Sequence, residues 1–110
     1  MPKFVVFFAY TPDAWSRMVD QPGDRTAAVR ASAEAVGARL EALYWMLGEQ
    51  DGMVVLDAPD AETAAAVAIT SVSSGAVRSL GTHQLFDQDQ LVAVLGKAKS
   101  ARDAFRPPGT

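Results

Sequence analysis

Residues Leu40 to Ala58, LEALYWMLGEQDGMVVLDA, decide how this chain folds. Two runs rich in aromatic and branched side chains flank Gly48-Glu49-Gln50-Asp51-Gly52. Gly and Asp are the residues that tight turns recruit for unusual φ and local backbone bonding, so the stretch reads as a β-hairpin. Successive strand side chains point to opposite faces. Along the first arm this places Leu40, Ala42, Tyr44 and Met46 on one face and Arg39, Glu41, Leu43, Trp45 and Leu47 on the other. The returning strand covers Met53 to Ala58 and stops at Pro59.

Upstream, Lys3 to Tyr10 (KFVVFFAY) is almost continuously apolar, the pattern of a strand covered on both faces. Thr11-Pro12-Asp13 then offers a helix cap, a proline at the first helical position and an acidic first turn. The spacing predicts a short helix over Asp13–Val19, an interruption at Gln21-Pro22-Gly23-Asp24, and a second helix over Arg25–Val36 ended by Gly37. Downstream, Asp60 caps a helix from Ala61 to about Ser73, Gly75 breaks it, and Val77–Phe86 forms the fourth strand. Asp87-Gln88-Asp89 opens a short C-terminal helix carrying Leu91, Val92, Val94 and Leu95. From Lys99 the apolar content falls and a Pro-Pro pair follows, so residues 1–98 read as the domain and 99–110 as a mobile tail.

Two strand–helix–strand halves joined by a hairpin specify an α+β, ferredoxin-like βαββαβ sandwich. The four-stranded antiparallel sheet has its first and third strands central and its helices on one face. The opposite face is also apolar, because the first strand is apolar on both sides and Tyr44 and Met46 oppose Leu43, Trp45 and Leu47. So large a surface is not left wet in a soluble monomer. A second copy of the chain is expected to cover it, giving a homodimer or a higher homo-oligomer.

Composition narrows the function. One domain is expected from 110 residues. The absence of Cys removes disulfides, thiolate catalysis and Cys-based metal sites. A net charge of −3 supplies no basic field for nucleic acid or an anionic membrane, so neither is expected as a partner. No signal-like segment and no apolar run near the ~20 residues of a bilayer span is present, and a cytoplasmic location is expected.

Tyr10-Thr11-Pro12, Leu43-Tyr44-Trp45-Met46-Leu47-Gly48-Glu49-Gln50-Asp51, Asp57-Ala58-Pro59-Asp60, Gly75-Ala76-Val77-Arg78-Ser79 and Leu85-Phe86 together resemble the GYD-domain family. These are small bacterial proteins related to the dimeric α+β barrels, and the likeness spans roughly residues 3 to 95. Members usually carry Tyr between the Glu and the Asp, where this chain has Gln50. The family is largely uncharacterised. The resemblance therefore implies a dimeric α+β barrel more than an activity, within a superfamily that includes cofactor-free monooxygenases, haem-handling enzymes, isomerases and dehydratases.

Candidate chemistry rests on few residues. His83 is the only histidine; strand parity puts it with Val77, Ser79 and Leu85, as a proton-transfer group, as a single axial haem ligand or as an ordinary strand residue. Asp51 and Glu49 sit two positions apart in the turn, as a carboxylate pair able to divide acid and base roles or as a turn cap and a solvated side chain. Tyr10, Trp15, Tyr44 and Trp45 line a ligand site beside the broken first helix, or fill core. Arg78, like Arg39, is either an anion clamp or half of a rim ion pair. No phosphate loop, nucleophile elbow or protein-only metal cage is present, and no cofactor is expected. These residues support a homodimer that binds a small apolar or aromatic molecule between the first helix and the sheet. Alternatives are a cofactor-independent enzyme, with His83 or Asp51 moving the proton, and a purely structural, oligomer-forming subunit.

Overall fold

The computed structural model describes residues 1–110, apart from the side chains of Ser79 and Leu80; the expectation that Ser79 shares a face with His83 lies outside the described residues. The elements run β1 (Lys3–Tyr10), α1 (Pro12–Asp20), α2 (Thr26–Ala35), β2 (Arg39–Trp45), β3 (Gly52–Asp57), α3 (Ala61–Ser73), β4 (Val77–Leu85) and α4 (Gln88–Ala104). They form an α+β ferredoxin-like fold whose sheet order is β2-β3-β1-β4, with every neighbouring pair antiparallel. The two strands expected at the centre are there.

Local chemistry sets the boundaries. Thr11 accepts from the Ala14 amide and Asp60 from the Thr63 amide, so each helix opens on a side-chain oxygen that satisfies an otherwise orphaned donor. Gly37 and Gly75 end α2 and α3 with φ of +85° and +80°, a conformation other residues adopt only with strain.

The core lies between the sheet and α2 and α3. Phe4, Val6, Phe8 and Tyr10 of β1 meet Val54 and Leu56 of β3, Ala33 of α2, and Ala64, Val67 and Ala68 of α3, with Ala14 and Met18 of α1 against its edge. Small alanines on the helices let their backbones approach the aromatic strand closely. β2 departs from strict alternation. Its register against β3 shifts between Leu40 and Ala42, so Leu40 and Leu43 both reach the core although their sequence parity puts them on opposite faces. The bulge absorbs Glu41 and resets the face.

Two features lie outside this core. The second face of the sheet carries no helix, and Phe7, Met53, Val55 and Leu85 are only half-buried there while Tyr44 is exposed. The last helix, 17 residues long, has no buried residue. It runs well past Lys99, where a tail was expected, because Lys, Ala, Ser and Arg sustain a helix and Pro107 is the first residue that cannot. Its start is fixed locally by a reciprocal capping box: Gln90 donates its amide to the Asp87 carboxylate, and Asp87 donates its amide to the Gln90 side chain. The radius of gyration is 17.8 Å and the long axis 60 Å. A compact chain of this length has a radius near 13 Å. The excess is the projecting α4, which leaves Leu91, Val92, Val94 and Leu95 exposed.

Candidate functional site

The β1–β3 ladder ends at the Phe8–Gly52 pair. Beyond it the Tyr10 amide has no strand partner across the hairpin, and a buried amide without one is costly. Asp51 supplies the bond: its Oδ2 accepts from the Tyr10 amide at 2.8 Å and from the Trp15 indole Nε1 at 3.2 Å. The Asp51 amide in turn donates to the Phe8 carbonyl at 2.8 Å, continuing the ladder by one residue. One carboxylate thus joins the end of β1, the first helix and the hairpin. On the other side Arg78 Nε donates to the Tyr10 carbonyl at 3.1 Å, and the Thr11 amide donates to the Ala76 carbonyl at 2.8 Å.

Four rings converge on this corner. Trp45 stacks on Tyr10 with centroids 5.8 Å apart and planes at 25°. Trp15 meets Tyr10 edge-on at 5.3 Å, and Phe8 meets Tyr10 at 5.4 Å and Trp45 at 5.6 Å in the same manner. These separations and tilts lie in the favourable range for aromatic pairs. Gly52 makes the arrangement sterically feasible, because a Cβ there would lie 2.4 Å from Phe8 Cζ. Burial pushes the Tyr10 phenol above its usual pKa; the Arg25 guanidinium opposes this by charge and hydrogen bonding, and the Asp51 charge adds to the rise. The phenol therefore stays protonated at neutral pH, as a hydrogen-bond donor.

Two hollows flank the corner. An open groove of about 500 Å³ runs between the α1–α2 break and the hairpin, lined by Trp15, Met18, Pro22, Gly23, Asp24, Arg25, Trp45, Met46, Leu47 and Asp51. A tighter cavity of about 230 Å³ lies under α2 and α3, with Val6, Phe8, Tyr10, Val29, Val54, Val67, Ala68 and Val77 among its walls and Arg25 again contributing.

The structure thus brings together Tyr10, Trp15, Trp45 and Asp51, with Arg78 holding the Tyr10 backbone. His83 is elsewhere. It stands opposite Val5 on the helix-free face, exposed, with its ring 6.0 Å from Phe7. Glu49 is exposed, and Gln50 buries an Oε1 with no hydrogen-bond partner. Arg39 pairs with Asp57 at 2.9 Å, and Lys3 joins the same carboxylate at 2.9 Å while also contacting Glu41. These hydrogen bonds, from Lys3 first and then Arg39, hold the Asp57 carboxyl below its ordinary pKa. Arg25 was not among the expected site residues. Its adjacency to the helix break was the available signal, but exposed arginines at such positions are common. Among the described residues no three His, Cys, Asp or Glu side chains are grouped to hold a metal ion, and no helix is long and apolar enough to cross a membrane.

Comparisons with known proteins agree with this architecture. The sequence model described as the GYD domain matches residues 4–95. No curated protein matches the sequence. Among solved structures, TTHA0845 from Thermus thermophilus is similar at 16% identity with a TM-score of 0.51, over 79% of this chain and 95% of that one. MtbAldR is similar at 10% identity and a TM-score of 0.55, over 79% of this chain and 53% of its own. The transcriptional regulator NMB0573 of Neisseria meningitidis, solved as an L-Met complex, is similar at 11% identity and a TM-score of 0.52, over 79% and 51%. This chain spans about half the length of those last two proteins. Identities this low establish a shared fold and nothing further.

Proposed function

Because the chain belongs to the GYD domain family, with the aromatic corner set in a ferredoxin-like frame, we propose that it is a self-associating binding protein for a small aromatic or apolar molecule, held in the groove between the first helix and the hairpin. The observation that carries this reading is the corner itself. The Trp15 indole is fixed by Asp51, and Trp45 by stacking on Tyr10, so both partly exposed rings already border the groove at little further cost in side-chain entropy. Pro22 and Gly23 also line the groove, at the break between α1 and α2.

Binding is favoured over catalysis by the placement of the ionisable groups. Asp51 Oδ2 already accepts two hydrogen bonds, the Tyr10 phenol is held protonated, and His83 lies on the other side of the sheet. Of the carboxylates that border the groove, Asp51 is engaged in those two bonds and Asp24 accepts from the Thr26 amide. Indole is a suitable probe. It is expected to raise the thermal midpoint of the protein and to bind at least tenfold more weakly to Trp15→Ala than to the parent. An equal shift in both proteins overturns the groove as the site.

Self-association is supported by the helix-free face, where Phe7, Met53, Val55 and Leu85 are only half-buried and Tyr44 is exposed, and by the unpacked apolar residues of α4. Met53→Glu places a charge in the middle of that surface. Sedimentation is expected to give a dimer or larger for the parent and at least a tenfold weaker association for the variant, about 1.4 kcal/mol. A folded monomeric parent at micromolar concentration sinks the proposal.

A further inference from the structure

The cavity beneath α2 and α3 differs from the groove in both shape and chemistry, and the reading above does not use it. Its walls are mostly aliphatic and aromatic, yet it is not chemically uniform. The hydroxyls that α3 and its C-cap contribute are already engaged: Thr70 donates to the Ala66 carbonyl at 2.8 Å, Ser71 to the Val67 carbonyl at 3.3 Å and the C-cap Ser74 to the Ser71 carbonyl at 2.6 Å. Arg25 is the one charged residue in the lining. Tyr10 lines the same cavity, and the Arg25 charge opposes the rise that burial imposes on its phenol. Among the described residues no carboxylate forms an ion pair with Arg25, whereas Arg17 and Arg39 each have one.

We propose that this cavity is a second binding site, for a small organic anion with a single ring or a short branched hydrocarbon body, whose carboxylate is read by Arg25 and Tyr10. The size fits. A cavity of about 150 Å³ lined by aliphatic and aromatic side chains already takes benzene, and sites for drug-sized ligands start near 300 Å³. At about 230 Å³ the cavity admits one ring and its acid group, not a fused polycycle. The polarity fits too. A guanidinium presents paired donors to a carboxylate and the protonated phenol adds a third, while the rest of the wall prefers hydrocarbon. A neutral molecule of the same shape fills the volume but leaves the Arg25 cation without a counter-charge.

Benzoate and benzamide test this, because they match in size and differ in charge. Titration calorimetry at moderate salt is expected to show benzoate binding at least tenfold more tightly than benzamide. Arg25→Gln is expected to erase that preference, Arg25→Lys to retain part of it, and Tyr10→Phe to reduce it. Arg30→Gln, an exposed change on α2 that lines neither hollow, controls for net charge and is expected to leave the preference intact. Ala68→Leu fills the cavity without touching the groove; it is expected to abolish benzoate binding while leaving the indole response unchanged. Equal binding of the two probes, or a preference that survives Arg25→Gln, overturns the anion site and leaves the groove reading standing. Benzoate binding that survives Ala68→Leu moves the site out of this cavity and equally overturns the inference. The absence of indole binding removes the groove reading alone.

Discussion

The two faces of one sheet have similar apolar content and different surroundings. On the helix side, Phe4, Val6, Phe8 and Tyr10 alternate out of β1 into a core closed by α2 and α3. On the other side, Phe7, Met53, Val55 and Leu85 come from the same strands and find no cover within the chain. The difference cannot come from strand propensity, which is shared. It comes from what the connections deliver. Both crossovers place their helices on one side, and α4, the only element left to cover the second side, projects away. The apolar residues that stay half-exposed on that face are what the proposed self-association rests on, whereas the helix side holds its own cavities.

Adjacent residues of β3 offer the sharpest way to break this contrast. Leu56 is fully buried on the helix side and Val55 is half-buried on the bare side. Leu56→Ala is expected to cost about 2–5 kcal/mol in chemical denaturation, whatever the protein concentration. Val55→Ala is expected to cost less than half as much in dilute protein and progressively more as concentration rises, because its neighbours are then a partner's. Equal, concentration-independent losses at both positions abolish the distinction between the faces.

Gly52 probes the helix side more finely. An added methyl meets the Phe8 ring, which is itself wedged between Tyr10 and Trp45. Gly52→Ala is expected to cost about 1–3 kcal/mol, the range for overpacking, and to shift the near-ultraviolet circular dichroism of the aromatic corner. An unchanged spectrum means the rings are less fixed than their geometry implies.

The smallest effect belongs to the charged end of the bare face. Hydrogen bonds from Lys3 and Arg39 hold Asp57 below its ordinary value of 3.8. A carboxyl with a depressed folded pKa contributes stability that is complete above the unfolded value and is lost as pH falls through the folded one. Thermal midpoints are therefore expected to fall as pH drops below about 4, and Asp57→Asn to flatten that decline. A steeper acid decline in the variant refutes the assignment.

Much of the frame was legible from local chemistry. Thr11 and Asp60 announce helix starts, Gly37 and Gly75 announce ends, and Gly48 to Gly52 announces the hairpin, because each acts through bonds or φ angles within a few residues. Tyr10 and Trp15 were separable as a pair for the same reason, being a strand end and one turn of the helix that follows. What escaped the sequence acts over distance. Asp51 read as an acid–base carboxylate or a cap of its own turn, and instead reaches the amide of Tyr10, 41 positions away. Arg25, at the start of α2, lines both hollows beside residues far from it in the chain. The β2 bulge at Glu41 defeats simple parity, since nothing in Leu40-Glu41-Ala42 marks which residue the ladder will skip. The length of α4 was underestimated because falling apolar content was read as loss of helix, while a helix with no buried face needs only propensity and caps.

The hollow that Gly52 leaves for the Phe8 ring also constrains how this lineage can drift. Enlarging position 52 first drives a side chain into an aromatic ring. Shrinking position 8 first empties the heart of the corner, at about 3–5 kcal/mol for loss of a buried phenylalanine, a large share of the 5–15 kcal/mol that holds a typical domain together. Neither order offers an easy intermediate, so the two sites are expected to persist or to be replaced together across descendants, some 44 residues apart in the chain yet inherited as one unit.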